Sequence, residues 1–312
     1  MIALAIDLGG SHASCALVQD GTILARRDLS VDGRKSLEGI LPVLSQVLHE
    51  LVGSASVRMA EVSALVLGFC GIVGARERRV LATNGKFEDA PALDLPGWCQ
   101  REFGLPLLIE NDARLALLGE YAFGAARGAS DVVMVTLGSG IGGAALLNGL
   151  LLQSRHGLAG TIGGHLPVVL RGRPCSCGNR GCAEAEASTM VLPEIYERQA
   201  GSSTGLLHGS ANIGFAEIFA AAASGDWPAA AVLEYCVEIW SALTVALIHA
   251  YDPEVVVFGG GVMKRADDIL PPLQEYVRTY AWTPGRTVKL CPAALGADAA
   301  LLGAIPLIES NR

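Results

Sequence analysis

The chain has 312 residues, 51% apolar and 17% charged, a globular composition with length enough for two domains. Its formal net charge of -8 and the lack of any Lys/Arg run exclude a general attraction for nucleic acid or for anionic membranes. No stretch nears the ~20 uninterrupted apolar residues of a bilayer span. The opening MIALAIDLGG shows neither a basic leader nor a cleavage site, so a cytoplasmic protein with reduced thiols is expected.

Met1–Ile6, Ala13–Val18 and Thr22–Ala25 are short apolar runs with Gly-containing turns between them, the pattern of a strand meander. The spacing of Leu37, Ile40, Leu41, Leu44, Val47, Leu48 and Leu51 predicts a helix over Ser36–Val52. Buried-type strands follow at Val62–Leu67 and Leu107–Ile109. The latter leads into Glu110-Asn111-Asp112, where Asp112 is placed to cap a helix starting near Ala113. A second set opens with a strand at Val132–Val135 and a turn at Thr136–Gly143. Strands at Ala144–Leu147 and Leu150–Leu152 then flank an Asn148-Gly149 hairpin. Phe215–Ala250 reads as helices broken near Gly225–Pro228. Val255–Phe258 reads as a strand ending in Gly259-Gly260-Gly261, followed by helices at Ala266–Tyr280 and Ala297–Ile308.

One phrase therefore occurs twice: strand, acidic or hydroxyl residue, glycine turn, strand, turn, strand. Asp7-Leu8-Gly9-Gly10-Ser11 and Thr136-Leu137-Gly138-Ser139-Gly140 hold equivalent places in two related α/β halves, with a hinge expected near Leu115–Gly128. Such turns hold phosphate when backbone N–H groups converge and no Cβ blocks the approach. Asp7 beside the first turn would repel a phosphate unless a cation lies between them, so it reads as a Mg²⁺ holder. The Walker pattern is absent, and a strand rather than a helix follows Gly138–Gly143, which argues against a P-loop ATPase and a Rossmann dehydrogenase.

Phosphoryl transfer to a hydroxyl needs a base near the hydroxyl proton. Asp112 at its strand-to-helix junction is the best candidate, although Asp in that place is often only a cap; Asn111 beside it can bond a polyol. Cys175, Cys177 and Cys182 supply three thiolates, and His165 upstream completes a Cys₃His set of the kind that closes a structural zinc site. A disulfide between Cys175 and Cys177 would be strained, and a redox site would more often show CxxC. Zinc here would order the loop and present His165 and Glu184 to a sugar; Glu186 reads as solvated or helical. The remaining Cys15, Cys70, Cys99, Cys236 and Cys291 read as small core residues.

Together these residues resemble the ROK family of bacterial sugar kinases and repressors, of the two-lobed actin/hexokinase-like (duplicated ribonuclease H-like) fold. The resemblance runs from Ile6 to about Ala304. It rests on DLGGSH (Asp7–His12), ENDARLALLGE (Glu110–Glu120), TLGSGIGG (Thr136–Gly143), GLAGTIGGH (Gly157–His165), CSCGNRGCAE (Cys175–Glu184), VVVFGGGV (Val255–Val262) and LGADAALLGA (Leu295–Ala304). It implies a hexose 6-kinase using MgATP, with Asp112 as base. Asn84, Asn111, Asp112, His165 and Glu184 would meet the sugar. Gly9, Gly10, Ser11, Gly138, Ser139 and Gly140 would hold ATP phosphates, and Gly259–Gly261 would lie against adenosine. His165, Cys175, Cys177 and Cys182 would bind zinc, and a homodimer is expected. Residues 1–120 would form a small N-terminal α/β lobe, with a C-terminal helix at about 297–312 packing back on it. Residues 121–296 would form the larger lobe, with the zinc loop at 165–184.

One departure stands out. The family usually reads Gly-Glu-x-Gly-His before the zinc loop, and that Glu contacts sugar. Here the run is Gly160-Thr161-Ile162-Gly163-Gly164-His165, with Thr161 in place of Glu and a glycine inserted. This raises an alternative: a sugar-binding regulatory protein without kinase activity. A repressor of the family would carry a winged-helix segment of ~80 residues before the first glycine motif, whereas here that motif begins at Asp7.

Overall fold

The computed structural model describes every residue except 11, 32, 34, 84, 202–204, 211 and 312. In chain order the elements are β1 (Ile2–Leu8), β2 (His12–Gln19), β3 (Thr22–Ser30), α1 (Leu41–Ser54), β4 (Val62–Phe69), β5 (Ile72–Gly74), β6 (Arg79–Ala82), α2 (Leu95–Phe103), β7 (Leu107–Asn111) and α3 (Asp112–Phe123). There follow β8 (Val132–Leu137), β9 (Ile141–Leu147), β10 (Leu150–Leu151), α4 (Ala183–Ala187), α5 (Leu192–Ala200), α6 (Phe215–Ala223), α7 (Trp227–Tyr251), β11 (Val255–Gly259), α8 (Ala266–Tyr280), β12 (Lys289–Pro292), α9 (Ala299–Leu302) and α10 (Ala304–Ser310).

The duplication is visible in the sheets. The first is ordered β3-β2-β1-β4-β7 and the second β10-β9-β8-β11-β12, so each places its third, second, first, fourth and fifth strands side by side. In the first sheet β1 pairs antiparallel with β2 and parallel with β4, and β4 pairs parallel with β7. In the second, β8, β11 and β12 run parallel. The two sequence turns fall after the first strand of each sheet, β1 and β8.

The chain divides into two compact units. One comprises Met1–Ala129, Ala144–Thr161 and Ala293–Arg312; the other comprises Ser130–Gly143 and Ile162–Pro292. In the first unit, alternate residues of the strands meet α1 in a continuous core. Leu4, Ile6, Leu17, Leu44, Leu48, Leu65, Leu67 and Phe69 are all buried there, each contributing about 1.5–3 kcal/mol over its exposed state. The C-terminal segment belongs to this unit because Glu120 holds it. That buried carboxylate accepts N–H bonds from Ala294 (3.0 Å) and Leu295 (2.8 Å) as well as Ala125 (2.7 Å). Beyond that anchor α9 packs on α3, β1 and β2.

In the second unit the long helix α7 is the core element, packed against α4, α5, α6 and α8. Trp240 is fully buried, and its indole N–H donates to Ala187 O at 3.1 Å. Among the described residues α7 is the one helix long and apolar enough to cross a bilayer. Half of that window is buried within this unit, as in the core helix of a globular protein.

Several local expectations shift. The α-helix expected from Ser36 begins at Leu41, because Pro42 fits only a first turn. Residues before it form a 3₁₀ turn held by Asp89, which accepts the N–H groups of Leu37 (2.8 Å) and Glu38 (2.9 Å). The last helix is split at Gly303 into α9 and α10. The β5–β6 hairpin, α2, α4, α5 and β12 had no sequence counterpart.

Candidate functional site

In the first unit β1 ends beside Asp7, which registers with Ser14 on β2 and Gly68 on β4. The turn that follows closes with Gly9 N–H donating to His12 O at 3.0 Å. The Lys86 ammonium donates to Gly10 O and lies over that glycine. Strand β7 delivers Asn111 and Asp112 at the start of α3.

The helix cap is Asn111, not Asp112 as expected. The Asn111 Oδ1 accepts the N–H groups of Ala113 (3.0 Å) and Arg114 (3.3 Å), while its Nδ2 donates to Gly71 O (3.2 Å). An extended backbone at Asn111 lets its short side chain turn back on the helix end. Asp112 is thereby the first helical residue. Its Oδ1 accepts the Ala113 N–H at 2.8 Å.

Asp112 and Asp7 keep some accessible surface yet are densely surrounded. Burial pushes the Asp112 carboxyl up to about 6, against the lowering hydrogen bonds from Ala113, its own N–H and Asn111. Asp7 is pushed up to about 7, by burial first and by the charge of Asp112 second, with Arg26 opposing. A buried carboxylate raised further by the charge of a second one favours a proton or a cation beside it. Ser11 and Asn84 lie outside the described residues. Thr161, which stands where a carboxylate was expected, donates its hydroxyl to Gly157 O at 3.0 Å.

In the second unit the Thr136–Gly140 segment closes with Gly138 N–H donating to Gly140 O at 3.0 Å. Ser139 is exposed at its tip. The Gly259–Gly261 cluster packs directly on the end of β8. Gly260 has φ +92°, and a Cβ there would stand 2.1 Å from Leu137 O, so only glycine fits. Both glycine clusters of this unit thus meet at one sheet end.

His165 and the three cysteines converge in the same unit, their ligand atoms all within 4.8 Å of one another. Cys175 Sγ is 3.4 Å from His165 Nδ1, and Cys177 Sγ is 3.7 Å from Cys182 Sγ. Tetrahedral zinc with bonds of about 2.3 Å to sulfur and about 2.0 Å to nitrogen needs ligand separations of about 3.5–3.8 Å. The His165–Cys175 and Cys177–Cys182 pairs come near these separations, so the four residues could hold zinc. The inserted glycine does not displace His165. The 3₁₀ turn Gly163–His165 absorbs it, and Gly164 lies against the β9 backbone, where a Cβ would be 2.0 Å from Ile141 O.

Glu184, in the first turn of α4, points one oxygen toward His165 Nε2 (3.9 Å) and accepts the Ile141 N–H on the other (2.9 Å). Glu186, read as solvated or helical, is helical but not solvated. It is buried, accepts from Arg173 N–H (2.5 Å) and Tyr235 O–H (2.7 Å), and so fastens the cysteine loop to α7.

The sequence candidates therefore gather in two sets. Asp7, Gly9, Gly10, Asn111 and Asp112 lie in one unit. Thr136, Gly138, Ser139, Gly140, Gly259, Gly260, Gly261, His165, Cys175, Cys177, Cys182 and Glu184 lie in the other. Sequence reasoning passed over Lys86. Its position two residues beyond Asn84 was the available signal.

The chain matches the model of the ROK family over residues 3–311. It is 32% identical to a glucokinase of Thermotoga maritima, over 99% of this chain and 97% of that one. It superposes with TM-score 0.81 and 30% identity on a ROK family glucokinase from Streptomyces griseus in complex with glucose and AMPPNP, covering 98% and 99% of the two chains. A ROK family transcriptional regulator, a homologue of the E. coli MLC protein, superposes with TM-score 0.84 and 26% identity, over 99% of this chain and 78% of the regulator. With the duplicated strand order, both glycine turns and the Cys₃His cluster present over the whole matched length, the chain belongs to the ROK family.

Proposed function

We propose that this protein, a sugar kinase, transfers the terminal phosphoryl group of MgATP to the 6-hydroxyl of a glucose-like hexose. The observation that carries this reading is Asp112: a carboxylate at the start of α3 with a raised pKa, beside Asp7 and the first glycine turn. Near neutral pH, above its pKa of about 6, Asp112 is mostly ionised and remains basic enough to take a hydroxyl proton. As the sugar oxygen bonds to phosphorus, its proton passes to Asp112. The bond from phosphorus to the bridging oxygen breaks, and ADP departs.

The other residues bind and orient. Asn111 sits beside Asp112 for contact with a sugar hydroxyl, and Glu184 and His165 offer an acceptor and a donor. The glycine turns at Gly9–Gly10 and Gly138–Gly140 receive phosphates, and Gly259–Gly261 faces adenosine. Asp7 is the residue to hold Mg²⁺, which when bound neutralises phosphate charge. Lys86, whose ammonium sits at Gly10, adds a second positive charge there. His165, Cys175, Cys177 and Cys182 would hold a structural zinc that fixes the loop carrying Glu184.

Sugar binding without turnover is the second reading, and it draws on Thr161, a neutral residue with its hydroxyl turned to Gly157. ADP release measured across a panel of hexoses separates the two. The expected result is hexose-dependent turnover with glucose or a close epimer. Saturable sugar binding with no ADP release from any hexose would support the second reading.

A further inference from the structure

The first unit contains a cavity of about 440 Å³, within the size range of small-ligand sites. None of Asp7, Gly9, Gly10, Asn111 or Asp112 lines it. Its polar walls are Arg76, Glu77, Arg114, Gln153, Ser154 and Arg155. Arg76 and Arg155 are exposed side chains, and neither enters an ion pair among the described residues. Arg114 is the opposite case, fully buried at 1% exposure. Its Nη1 donates to Glu110 Oε1 at 3.1 Å and its Nη2 to Ala159 O at 2.6 Å, while its Nε has no partner. A buried guanidinium N–H without an acceptor, in the wall of a cavity, is a group that an oxyanion satisfies.

Among the described residues, two unpaired guanidiniums, Arg76 and Arg155, thus line the cavity with one unpaired carboxylate, Glu77, while Arg114 and Glu110 compensate each other's charge. Arginine forks match the oxygens of a phosphate, whereas Glu77 can only accept hydrogen bonds, as from hydroxyl groups. We propose that this cavity binds a polyol phosphate monoester, its phosphate on Arg76, Arg155 and Arg114 and its hydroxyls on Glu77, and that occupancy changes the catalytic rate.

The route to Asp112 is short. Glu110 Oε1, which Arg114 holds, also accepts the Asn111 N–H at 2.9 Å, and Glu110 Oε2 accepts from Gln153 at 2.7 Å. Asn111 caps the helix that Asp112 begins. A phosphate that draws Arg114 and Gln153 toward the cavity loosens their hold on Glu110, and through Asn111 it moves the Asp112 carboxylate. The rate effect rests on the kinase reading, and the binding does not. A hexose 6-phosphate, the product of that reaction, belongs to the proposed ligand class.

The test is a calorimetric titration of glycerol 3-phosphate into the native protein and into the Arg76→Ala/Arg155→Ala double variant. Both replacements are exposed and spare the core. The native protein is expected to bind with a dissociation constant of about 0.1–1 mM, and the double variant at least about tenfold more weakly. Glycerol alone should not bind. Native affinity weaker than about 10 mM, equal binding by the double variant, or equal binding of glycerol would overturn the site. Binding at the glycine turns would be untouched by the double variant, so that outcome also counts against the cavity. At saturating hexose and MgATP, glycerol 3-phosphate should change kcat of the native enzyme by about twofold or more, a shift of about 0.4 kcal/mol, and leave the double variant unmoved. An unchanged native kcat would overturn the regulatory half. If no hexose is phosphorylated at all, the titration still decides the binding.

Discussion

Glu184 faces His165 across 3.9 Å, its Oε1 opposite Nε2, while the other ring nitrogen stands 3.4 Å from Cys175 Sγ. One imidazole therefore joins the sulfur cluster to a carboxylate. The same carboxylate accepts the Ile141 N–H just beyond the Thr136–Gly140 turn. The Cys₃His cluster and the glycine turn of this unit thus meet at one side chain.

The first consequence concerns the metal. Elemental analysis is expected to find about one zinc per chain. Glu184→Gln removes the carboxylate that orients the histidine ring and should weaken zinc about 10- to 100-fold. Cys177→Ser should lower the melting temperature by several degrees and raise the hexose KM. A zinc-free native protein, or a Cys177→Ser variant with unchanged melting point and KM, would count against the assignment.

The second consequence concerns pH. Asp112 must be ionised to act as base, and its carboxyl is pushed up to about 6. Plotted against pH, kcat/KM should rise through about 6 and level off above it. Asp7 has an analogous effect on stability. Its folded pKa of about 7 lies above the ordinary 3.8, so the folded state binds the proton more tightly than the unfolded one. Stability therefore falls as pH rises from about 4 to about 7, and the penalty is complete above that window. Asp7→Asn should raise the metal-free melting temperature at pH 8 and change it much less at pH 4.5. Equal shifts at both values would contradict the raised pKa.

Much of this was legible in the sequence, for physical reasons that differ by residue. Glycine turns after strands show themselves because no other residue permits the backbone approach seen at Gly260. Cysteines at ligand spacing are equally plain, and Cys175, Cys177 and Cys182 do come together with His165. The division of labour at Asn111-Asp112 was not legible. Either residue can cap a helix, and only the extended backbone at Asn111 decides. The burial of Glu186 and the anchoring role of Glu120 were not legible either, because their partners are backbone N–H groups and Tyr235, distant in sequence. Short elements such as β12 and α4 carry too few residues to show a period. Lys86 had no periodicity to mark it; beyond its closeness in sequence to Asn84, its bond to Gly10 is what gives it meaning.

Lys86 supplies a third prediction. Lys86→Met should lower kcat about 10- to 100-fold, or roughly 1.4–2.7 kcal/mol in barrier, with hexose affinity unchanged. Lys86→Arg should recover part of the loss. Full activity in Lys86→Met, assayed by ADP release at saturating nucleotide, would remove this residue from the site.

The buried pair gives a fourth. Arg114→Met strands the Glu110 charge in the core and should cost about 3–5 kcal/mol in denaturant unfolding. Adding Glu110→Gln should restore a large part of that loss, because the stranded charge is gone. A single variant as stable as the native protein would show that the pair contributes nothing.

The central claim is that Asp112 removes the proton from the acceptor hydroxyl, and Asp112→Asn tests it most directly. The replacement keeps size and hydrogen-bonding reach while abolishing basicity. Turnover at saturating hexose and MgATP should fall about 10²- to 10⁴-fold, with the hexose dissociation constant within about tenfold of native, or ~1.4 kcal/mol. A variant that retains near-native kcat would contradict the account, and so would one whose loss lies wholly in sugar binding.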